Sequence, residues 1–544
     1  MGIPSYFSYI VKRHPEIIKK FIENKFVVNN LYLDCNSIIY DSYHKLNAEE
    51  ITESISDKII NCVISKIEEY LAIIQPNKNV IIAFDGVAPV AKLEQQRQRR
   101  YKSWYQSEIS NQIFKNNNNK NDNNKNKDAW NTAAITPGTK FMADLNERVT
   151  KHFSEPSKYG TEKIYVSGSN KYGEGEHKIF EFIRLYPDKH LSEQNTIIYG
   201  LDADLIMLSI NHLLVCPNIY LFRETPQFIQ SINSELEPDQ HYFLDIPELT
   251  KAITEYMNND AEITNKNKIY DYIFLCFFLG NDFLPHFPAL NIRTGGVDKM
   301  LNAYRATIGS NEFISDGKNI VWNNVRKIVK FLANLEEEFI ITEHKSRDKK
   351  ERQRLPESTP EDKFKRFEST PLYEREIEKF INPFKPYWQS RYYRSLFNIK
   401  TDSDGQQVKD ICINFLEGLE WTMKYYTTSC PNWRWNYKYT YPPLLQDLLQ
   451  YIPVFDTIFV ATVEPKPVNE LVQLCYVLPR SSLHLLPVKL YTELTRRYEH
   501  WYKVDCEYLW AYCRYFWESH VEMEEIDLNA LEHFVEQYKK TVIK

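Results

Sequence analysis

The sequence lacks the features that mark a secreted or membrane-spanning protein. Its nine cysteines include no Cys-x-x-Cys pair and no regular spacing, which indicates reduced thiols in a reducing compartment. Lys12, Arg13 and His14 interrupt the N-terminus before any long apolar run, so we predict no signal peptide. The longest apolar run, Tyr272 to Leu279, is far short of the roughly 20 residues that a membrane span requires. We therefore expect a soluble intracellular protein.

The chain also lacks an excess of positive charge. Its formal net charge is −6, which argues against a protein that coats nucleic acid through bulk charge. Binding of a phosphate group at one site stays compatible with this value, because local charge decides where a phosphate binds. Apolar residues are abundant, at 43% of 544 residues with 30 Phe and 37 Tyr, which predicts a large core in two or three domains.

The first 300 residues alternate between short apolar strands and helical patterns. Helical periodicity runs through residues 51–74 and 177–185. The predicted strands are 30–34, 80–85, 163–167 and 196–201. This alternation predicts an α/β fold with a mainly parallel sheet flanked by helices.

Composition divides the chain into three parts, and no internal repeat is visible. Residues 115–128 are almost entirely Asn, Lys and Asp, so they cannot bury apolar area and are predicted to form a mobile loop. Residues 344–370 are dense in charge and contain two prolines, which predicts a solvated connector. From Pro371 the sequence becomes rich in Tyr and Trp. We expect a first domain at 1–310, a helical and charged connector at 311–370 and a second region at 371–544 that packs on the first.

Acidic side chains follow the predicted strands at the points where the strands end. Asp34 ends the first strand and Asp85 ends the second. Asp202 and Asp204 follow the fourth strand. Because the carboxyl ends of parallel strands meet at one edge of a sheet, we expect these side chains to lie close together. Three more acids occupy glycine-containing segments, namely Glu174, Glu176 and Asp282.

Seven carboxylates in a small volume repel one another unless cations lie among them. Oxygen ligands without paired Cys or His suit Mg²⁺ or Mn²⁺ rather than Zn²⁺. Two such ions about 4 Å apart can activate a water and stabilise the leaving oxygen of a phosphodiester. Taken singly, each Asp could equally be a helix N-cap or a turn residue, and the two Glu a solvated helix start. The metal site is therefore a prediction from the whole set.

A basic segment begins seven residues after Asp85. Residues 92–102 contain five cations and one Glu inside a chain that is acidic overall. In a helix one face presents a Lys, an amide and two Arg, namely Lys92, Gln96, Arg99 and Arg100. Such a face can bind a terminal phosphate dianion. The alternative is a plain solvated basic helix.

Together these segments resemble the Xrn/Rat family of 5′→3′ exoribonucleases, which are relatives of the flap endonucleases. The similarity runs in blocks of the family's order from Met1 to about residue 490. The matching segments are MGIP at 1–4, LYLDCNS at 31–37, FDGVAP at 84–89, QQRQRR at 95–100, ITPGT at 135–139, GEGEHK at 173–178, YGLDADL at 199–205, GNDFLPH at 280–286, LEGLEW at 416–421, CPNWRW at 430–435 and VLP at 477–479.

The resemblance implies a PIN-like (flap-nuclease-like) fold and a hydrolase that acts in RNA decay, including mRNA decay. The implied reaction is hydrolysis of single-stranded RNA with a 5′-monophosphate, releasing 5′-mononucleotides. The resemblance also implies two Mg²⁺ ions, with Mn²⁺ as a substitute. Their ligands would be Asp34, Asp85, Glu174, Glu176, Asp202, Asp204 and Asp282.

The resemblance further implies that Lys92, Gln96, Arg99 and Arg100 bind the 5′-phosphate, in agreement with the helical-face argument. Lys92 would also steady the scissile phosphate. The family stacks a His and a Trp on the first bases. The His position, six residues after Asp34, is Tyr40 here, and the Trp is expected at Trp435, although core packing is the alternative for it.

The chain departs from the family in two further ways. It ends near the end of the second conserved region, without the long C-terminal extension of cytoplasmic members. Between Asp204 and Asp282 only Cys216 precedes Cys276, so a zinc knuckle of the nuclear type is not possible there. We expect a cytoplasmic monomer without membrane contact.

Two other functions stay open. A flap-type DNA endonuclease would share the metal chemistry, but the second conserved region would obstruct threading of a flap. A catalytically inactive RNA-binding scaffold is the other candidate, and the complete set of acids argues against it.

Overall fold

The computed structural model describes residues 2–3, 5–20, 27–46, 54–115, 130–200, 202–224, 236–237, 241–257, 267–309, 311–399 and 405–542. The low-complexity segment 115–128 lies outside the described residues except for Lys115. The predicted helix start at 51–53 also lies outside them.

The strands are β1 (Ile18–Lys20), β2 (Asn30–Asp34), β3 (Asn79–Ala83), β4 (Lys163–Ser167), β5 (Thr196–Tyr199), β6 (Ile219–Glu224), β7 (His241–Asp245), β8 (Glu507–Leu509) and β9 (His520–Glu522). The helices of the first half are α1 (Tyr6–Arg13), α2 (Asn36–His44), α3 (Ile55–Ile74), α4 (Val90–Lys115), α5 (Lys140–His152), α6 (Gly175–Leu185), α7 (Ala203–His212), α8 (Ile246–Met257), α9 (Lys268–Cys276) and α10 (Gly296–Thr307). Those of the second half are α11 (Trp322–Glu351), α12 (Pro360–Glu368), α13 (Glu376–Ile381), α14 (Trp388–Phe397), α15 (Gly405–Thr427), α16 (Leu445–Tyr451), α17 (Glu470–Val477), α18 (Val488–Tyr498) and α19 (Leu528–Val542).

Seven strands form one sheet in the order β1-β7-β6-β5-β2-β3-β4. Neighbouring strands from β6 through β4 are parallel, while β7 is antiparallel to both β6 and β1. Asp34 at the end of β2 is in register with Ala83 at the end of β3, and Ala83 with Ser167. The α/β class and the mainly parallel sheet are therefore confirmed.

The sheet separates two layers of helices. Alternate residues of β2 face opposite sides, with Leu31 and Leu33 in one apolar cluster and Tyr32 in the other. Helix α3 covers the first face and α6 covers the second. Both faces are covered, and β2 is apolar from Leu31 to Leu33, as is usual for the middle of a central parallel strand.

Two predicted strands end earlier than expected. β3 ends at Ala83 rather than at Asp85, and β5 ends at Tyr199 rather than at 201. Helix α6 begins at Gly175, two residues before the predicted start. The backbone N–H of Gly175 donates to Asp85 Oδ1 at 2.7 Å, so Asp85 leaves the strand and caps this helix.

The prediction of a solvated connector over 344–370 is wrong for its first part. Helix α11 continues to Glu351 and buries Arg347. This side chain donates to both carboxylate oxygens of Glu378, at 2.6 and 2.8 Å, and this pairing satisfies its charge in the core. By contrast, α12 has no buried residue.

The second half of the chain contacts the first through several elements. Asn211 Nδ2 in α7 donates to the carbonyl of Tyr426 in α15 at 2.8 Å. The N–H of Ala88, just before α4, donates to Gln473 Oε1 in α17 at 3.1 Å. Every helix among the described residues is too short or too polar to cross a bilayer.

Candidate metal centre and phosphate-binding helix

The carboxyl edge of the sheet gathers the predicted acids. One ends β2, one follows β3, and two lie at the start of α7. Two lie at the start of α6, and the last lies in the loop after α9. Electrostatic contact links all seven, namely Asp34, Asp85, Glu174, Glu176, Asp202, Asp204 and Asp282.

Asp34 lies in the middle of this edge. Burial and the negative charges of Asp85 and Asp202 raise its pKa well above the ordinary value. Burial and the charge of Glu174 likewise raise the pKa of Asp85. Asp34 Oδ1 is buried and has no hydrogen-bond partner among the described residues. Asp34 Oδ1 therefore keeps an unused lone pair, whereas Asp85 accepts hydrogen bonds from Asn36 and Gly175.

The other side of the edge repeats this pattern and adds one lysine. Burial and the charges of Asp282 and Asp202 raise the pKa of Asp204 to about 7. Burial and Asp204 raise the pKa of Glu176 well above the ordinary value. Burial acts to raise the pKa of Asp282, but the positive charge of Lys92 holds it well below the ordinary range. The charge of Lys92 thus lowers the pKa of Asp282, while the pKa values of Asp204 and Glu176 stay raised.

The residues present fit a hard divalent cation. The donor set consists of carboxylate oxygens, which is the set that Mg²⁺ and Mn²⁺ prefer. The unpartnered oxygen of Asp34 and the mutually raised pKa values are what a cation bound among these groups would relieve.

Lys92 joins the acids to helix α4. Its Nζ lies 2.7 Å from Glu174 Oε1 and 2.6 Å from Asp282 Oδ2. Burial acts to lower the pKa of Lys92, but the charges of Asp282 and Glu174 outweigh it and raise the pKa well above the ordinary value. Gln95 Nε2 also donates to Asp282, at 3.3 Å. The ammonium is therefore a permanent positive charge inside the acidic cluster.

The remaining predicted phosphate ligands follow Lys92 along α4. Gln96 is buried, and Arg99 and Arg100 are half-buried. Arg100 donates to the carbonyl of Ile135 at 3.4 Å, and its buried Nε has no partner within the described residues. Burial lowers the pKa of Arg100 to about 10, so it stays positive at neutral pH. Lys92 and Gln96 are therefore buried rather than solvated, while Arg99 and Arg100 are half-buried, and binding of a phosphate by this face stays a prediction.

Two other cations of α4 serve packing instead. The buried Arg97 donates to the carbonyl of Trp501 at 3.0 Å. Lys102 donates to the carbonyls of Trp517 and Ser519 at 2.8 and 2.6 Å. Arg97 and Lys102 therefore hold the second half of the chain through its carbonyl groups, unlike the predicted phosphate ligands of the same helix.

The two predicted stacking residues differ in their surroundings. Tyr40 is half-buried in α2 and lies close enough to Arg100 for its electrostatic interaction to raise the pKa of Arg100. Trp435 is only 9% exposed, stacks on Trp421 at 5.1 Å between ring centres and donates to Glu417 Oε2 at 3.2 Å. The ring of Trp435 packs in the core here, so its stacking on a base stays a prediction.

Four residues around the acids had no role in the sequence analysis. Tyr425 donates to Glu174 and Tyr426 to Asp204, each at 2.8 Å. The two tyrosines lie 251 and 222 residues from these partners in the sequence, which gives no signal of the contacts. Asn36 exchanges two hydrogen bonds with Asp85, of 2.5 and 3.0 Å, and lies in a segment that was matched to the family.

The fourth is His177, which directly follows Glu176. Ligand atoms of Glu174, Glu176 and His177 lie within 4.8 Å of one another. Burial holds the pKa of His177 well below its ordinary value, so the ring is neutral. The ring stacks on Tyr425 with 3.7 Å between centres, which gives it a packing role.

A cavity of about 1640 Å³ opens beside Asp282 and Arg99. It exceeds the roughly 300–1,000 Å³ that is typical of small-molecule sites. Its lining includes Lys102, Lys438 and Tyr437. The lining also contains acidic side chains such as Glu522 and Glu525, so the cavity is charged without an excess of one sign.

The fold and the site define an α/β protein with a carboxylate-rich sheet edge and a basic helix beside it. A family model described as the XRN 5′-3′ exonuclease N-terminus matches residues 1–225. A second, described as the Xrn1 helical domain, matches residues 262–377 and 373–542. The chain belongs to the XRN 5′-3′ exonuclease family, which confirms the resemblance that the sequence motifs indicated.

The chain is also similar in sequence to individual proteins that are named 5′-3′ exoribonucleases. The chain is 30% identical to 5′-3′ exoribonuclease 1 of Homo sapiens, over 90% of this chain and 31% of that protein. It is 25% identical to 5′-3′ exoribonuclease 2 of Arabidopsis thaliana, over 100% of this chain and 68% of that protein. It is 27% identical to 5′-3′ exoribonuclease 1 of Saccharomyces cerevisiae, over 90% of this chain and 40% of that protein. The chain thus spans between about a third and two thirds of the length of these relatives.

Proposed function

We propose that this chain is a metal-dependent 5′→3′ exoribonuclease of RNA decay, which hydrolyses single-stranded RNA from a 5′-monophosphate end and releases 5′-mononucleotides. One observation carries the proposal: the seven carboxylates, three of them buried and four half-buried, converge beside the basic face of α4. The names of the relatives support the reaction class.

The proposed ligands of two Mg²⁺ ions, or of Mn²⁺ in their place, are Asp34, Asp85, Glu174, Glu176, Asp202, Asp204 and Asp282. Bound ions of this kind supply a water of lowered pKa and neutralise a leaving 3′-oxygen. The protein contributes the arrangement of the ligands. Asp85 is held by Asn36 and by the N–H of Gly175, so its carboxylate is fixed before substrate arrives.

The basic face of α4 is the proposed binding site for the 5′-phosphate. Gln96, Arg99 and Arg100 offer donors to its oxygens, and Lys92 reaches both this phosphate and the scissile one. When the terminal phosphate is bound on this helix, the first phosphodiester of the RNA lies at the acids. Each round of hydrolysis then releases one nucleotide. A cap or a triphosphate is too bulky for such a socket.

Tyr40 and Trp435 are the proposed stacking partners of the first bases. The position of Tyr40 next to Arg100 supports its part of the proposal, because a base then follows the phosphate directly. For Trp435 the support is the sequence match alone. A monomeric state and a cytoplasmic location are further predictions, which sedimentation velocity and cell fractionation test.

Digestion of labelled, 5′-phosphorylated RNA with and without EDTA tests the proposal. We expect 5′-mononucleotides as the product in Mg²⁺ and no product in EDTA. Asp202→Ala should lose about 100-fold or more of the rate. Undiminished turnover of this variant in excess Mg²⁺ would refute the assignment of the acids. A single longer fragment would indicate flap cutting, and absence of hydrolysis would leave an RNA-binding scaffold.

A further inference from the structure

Helix α15 inserts two consecutive tyrosines into the acidic site. The hydroxyl of Tyr425 donates to Glu174 Oε2 at 2.8 Å, and that of Tyr426 donates to Asp204 Oδ1 at 2.8 Å. Consecutive residues of a helix point about 100° apart, so one turn of α15 reaches two different carboxylates. Both tyrosines are buried, at 3% and 2% exposure, so water does not replace their hydrogen bonds.

We propose that Tyr425 and Tyr426 are positioning residues that fix Glu174 and Asp204 in the orientation required to hold the divalent cations. This inference rests on the proposed function of the site. It assigns to the second half of the chain a direct part in cation binding, although the proposed ligands all come from the first half.

The contacts of the Glu174 carboxylate support this role. Glu174 has both oxygens engaged, Oε2 by Tyr425 and Oε1 by Lys92 at 2.7 Å. Each of these oxygens keeps a further lone pair, so a carboxylate held in this way can still coordinate an ion. Partners of this kind set the direction in which a ligand offers its lone pair, and they tune affinity for the ion.

The tyrosine rings are themselves held rigidly. The ring of Tyr425 stacks on His177 with 3.7 Å between centres and lies 4.8 Å from Trp421. The ring of Tyr426 contacts Phe277 edge to face at 5.4 Å, and its carbonyl accepts from Asn211 at 2.8 Å. Because the tyrosine hydroxyls are held rigidly, the carboxylates that they bind are already oriented before the ion binds.

The variants Tyr425→Phe and Tyr426→Phe remove only the hydroxyls and keep the rings in place. Tyr392→Phe is a matched control, because Tyr392 is buried in α14 and donates to the carbonyl of Pro442 at 2.9 Å. Calorimetric titration of the 544-residue chain with MnCl₂, without RNA, measures cation affinity. The midpoint of thermal unfolding and the kcat and KM for 5′-phosphorylated RNA are measured alongside.

We expect each site variant to weaken Mn²⁺ binding about 10–100-fold, and the control to leave it unchanged. High Mn²⁺ should restore kcat, and KM for RNA should stay close to that of the wild type. Unchanged Mn²⁺ affinity in both site variants, or an equal loss in the control, would overturn the inference.

The same titration separates this inference from the proposed function. A wild-type chain that binds Mn²⁺ without hydrolysing RNA would overturn the proposed function alone. An active wild type whose site variants keep full affinity would overturn the positioning role alone. A wild-type chain that binds no Mn²⁺ would overturn both.

Discussion

At the scale of single residues, the acidic site depends on very close packing between backbone and carboxylate. A methyl group at Gly175 would lie 2.6 Å from Asp34 Oδ1, which is closer than real contacts allow. Gly175 also donates its N–H to Asp85. The glycine therefore permits helix α6 to begin directly against two of the proposed ligands.

Gly175→Ala should lower RNA hydrolysis by at least about 10-fold, because the new methyl group displaces Asp34 from the cluster. Gly405→Ala is the control, since nothing lies within 4 Å of a methyl group there. Steady-state rates on 5′-phosphorylated RNA, with thermal unfolding as a check on folding, make the comparison. Equal activity of the two variants would contradict the proposed role of Asp34.

Several residues of the site could be predicted because their signal is local. Asp34 follows an apolar strand, and Glu174 lies between glycines before a helical pattern. Tyr425 and Tyr426 carry no such signal, because a tyrosine in an aromatic helix reads as core until its neighbours are known. The burial of Arg347 was missed for the same reason, since its partner Glu378 lies on another helix.

At the scale of elements, helix α4 performs two tasks with different side chains. Arg97 and Lys102 fasten it to backbone carbonyls of the C-terminal part. Lys92 faces the acids, and Arg99 and Arg100 continue that face. A single helix thus links the packing of the second half to the proposed phosphate site.

Arg99→Ala should reduce the preference for 5′-phosphate over 5′-hydroxyl RNA by about 10–100-fold, because it removes a charge-assisted hydrogen bond to the phosphate. The rate on 5′-hydroxyl RNA should change little. Arg148→Ala, which removes a surface cation of α5 paired with Asp57, should leave the preference intact. A wild type that does not distinguish the two RNA ends would contradict the phosphate site.

Helix α16 provides a test of pH dependence away from the site. Glu336 of α11 is buried and accepts the N–H groups of Leu445 and Gln446, at 2.7 and 3.1 Å. Burial raises the pKa of Glu336 from 4.5 to about 8. A raised carboxyl pKa means that the folded state favours the protonated form of Glu336. The stability that the protonated carboxyl contributes is therefore present at low pH and is lost as the pH rises through 8.

We predict that wild type loses stability relative to Glu336→Gln as the pH rises from about 5 to 8, by up to about 1.4 kcal/mol per pH unit. Urea unfolding of wild type and Glu336→Gln across this pH range measures the difference in their free energies of unfolding. The contributions of the other titrating groups are the same in both proteins and cancel in this difference. A stability difference that is independent of pH would contradict the raised pKa.

At the scale of the whole molecule, the sequence predicts the sheet better than the way the two halves meet. Short runs such as Leu31 to Leu33 were predicted as strands because apolar residues on both faces are typical of a strand in the middle of a covered sheet. The strand ends were misjudged where a side chain outside the strand decides them, as Asp85 does by capping α6. The placement of α15 over the acids depends on contacts between distant segments, for which the sequence has no periodic signal.

Anomalous diffraction from crystals grown with Mn²⁺ shows whether the acids converge on shared divalent cations. We expect two Mn²⁺ peaks at the carboxyl edge of the sheet, within coordination distance of Asp34, Glu176, Asp204 and Asp282. Mn²⁺ bound elsewhere, or an edge without a peak at saturating Mn²⁺, would contradict this expectation.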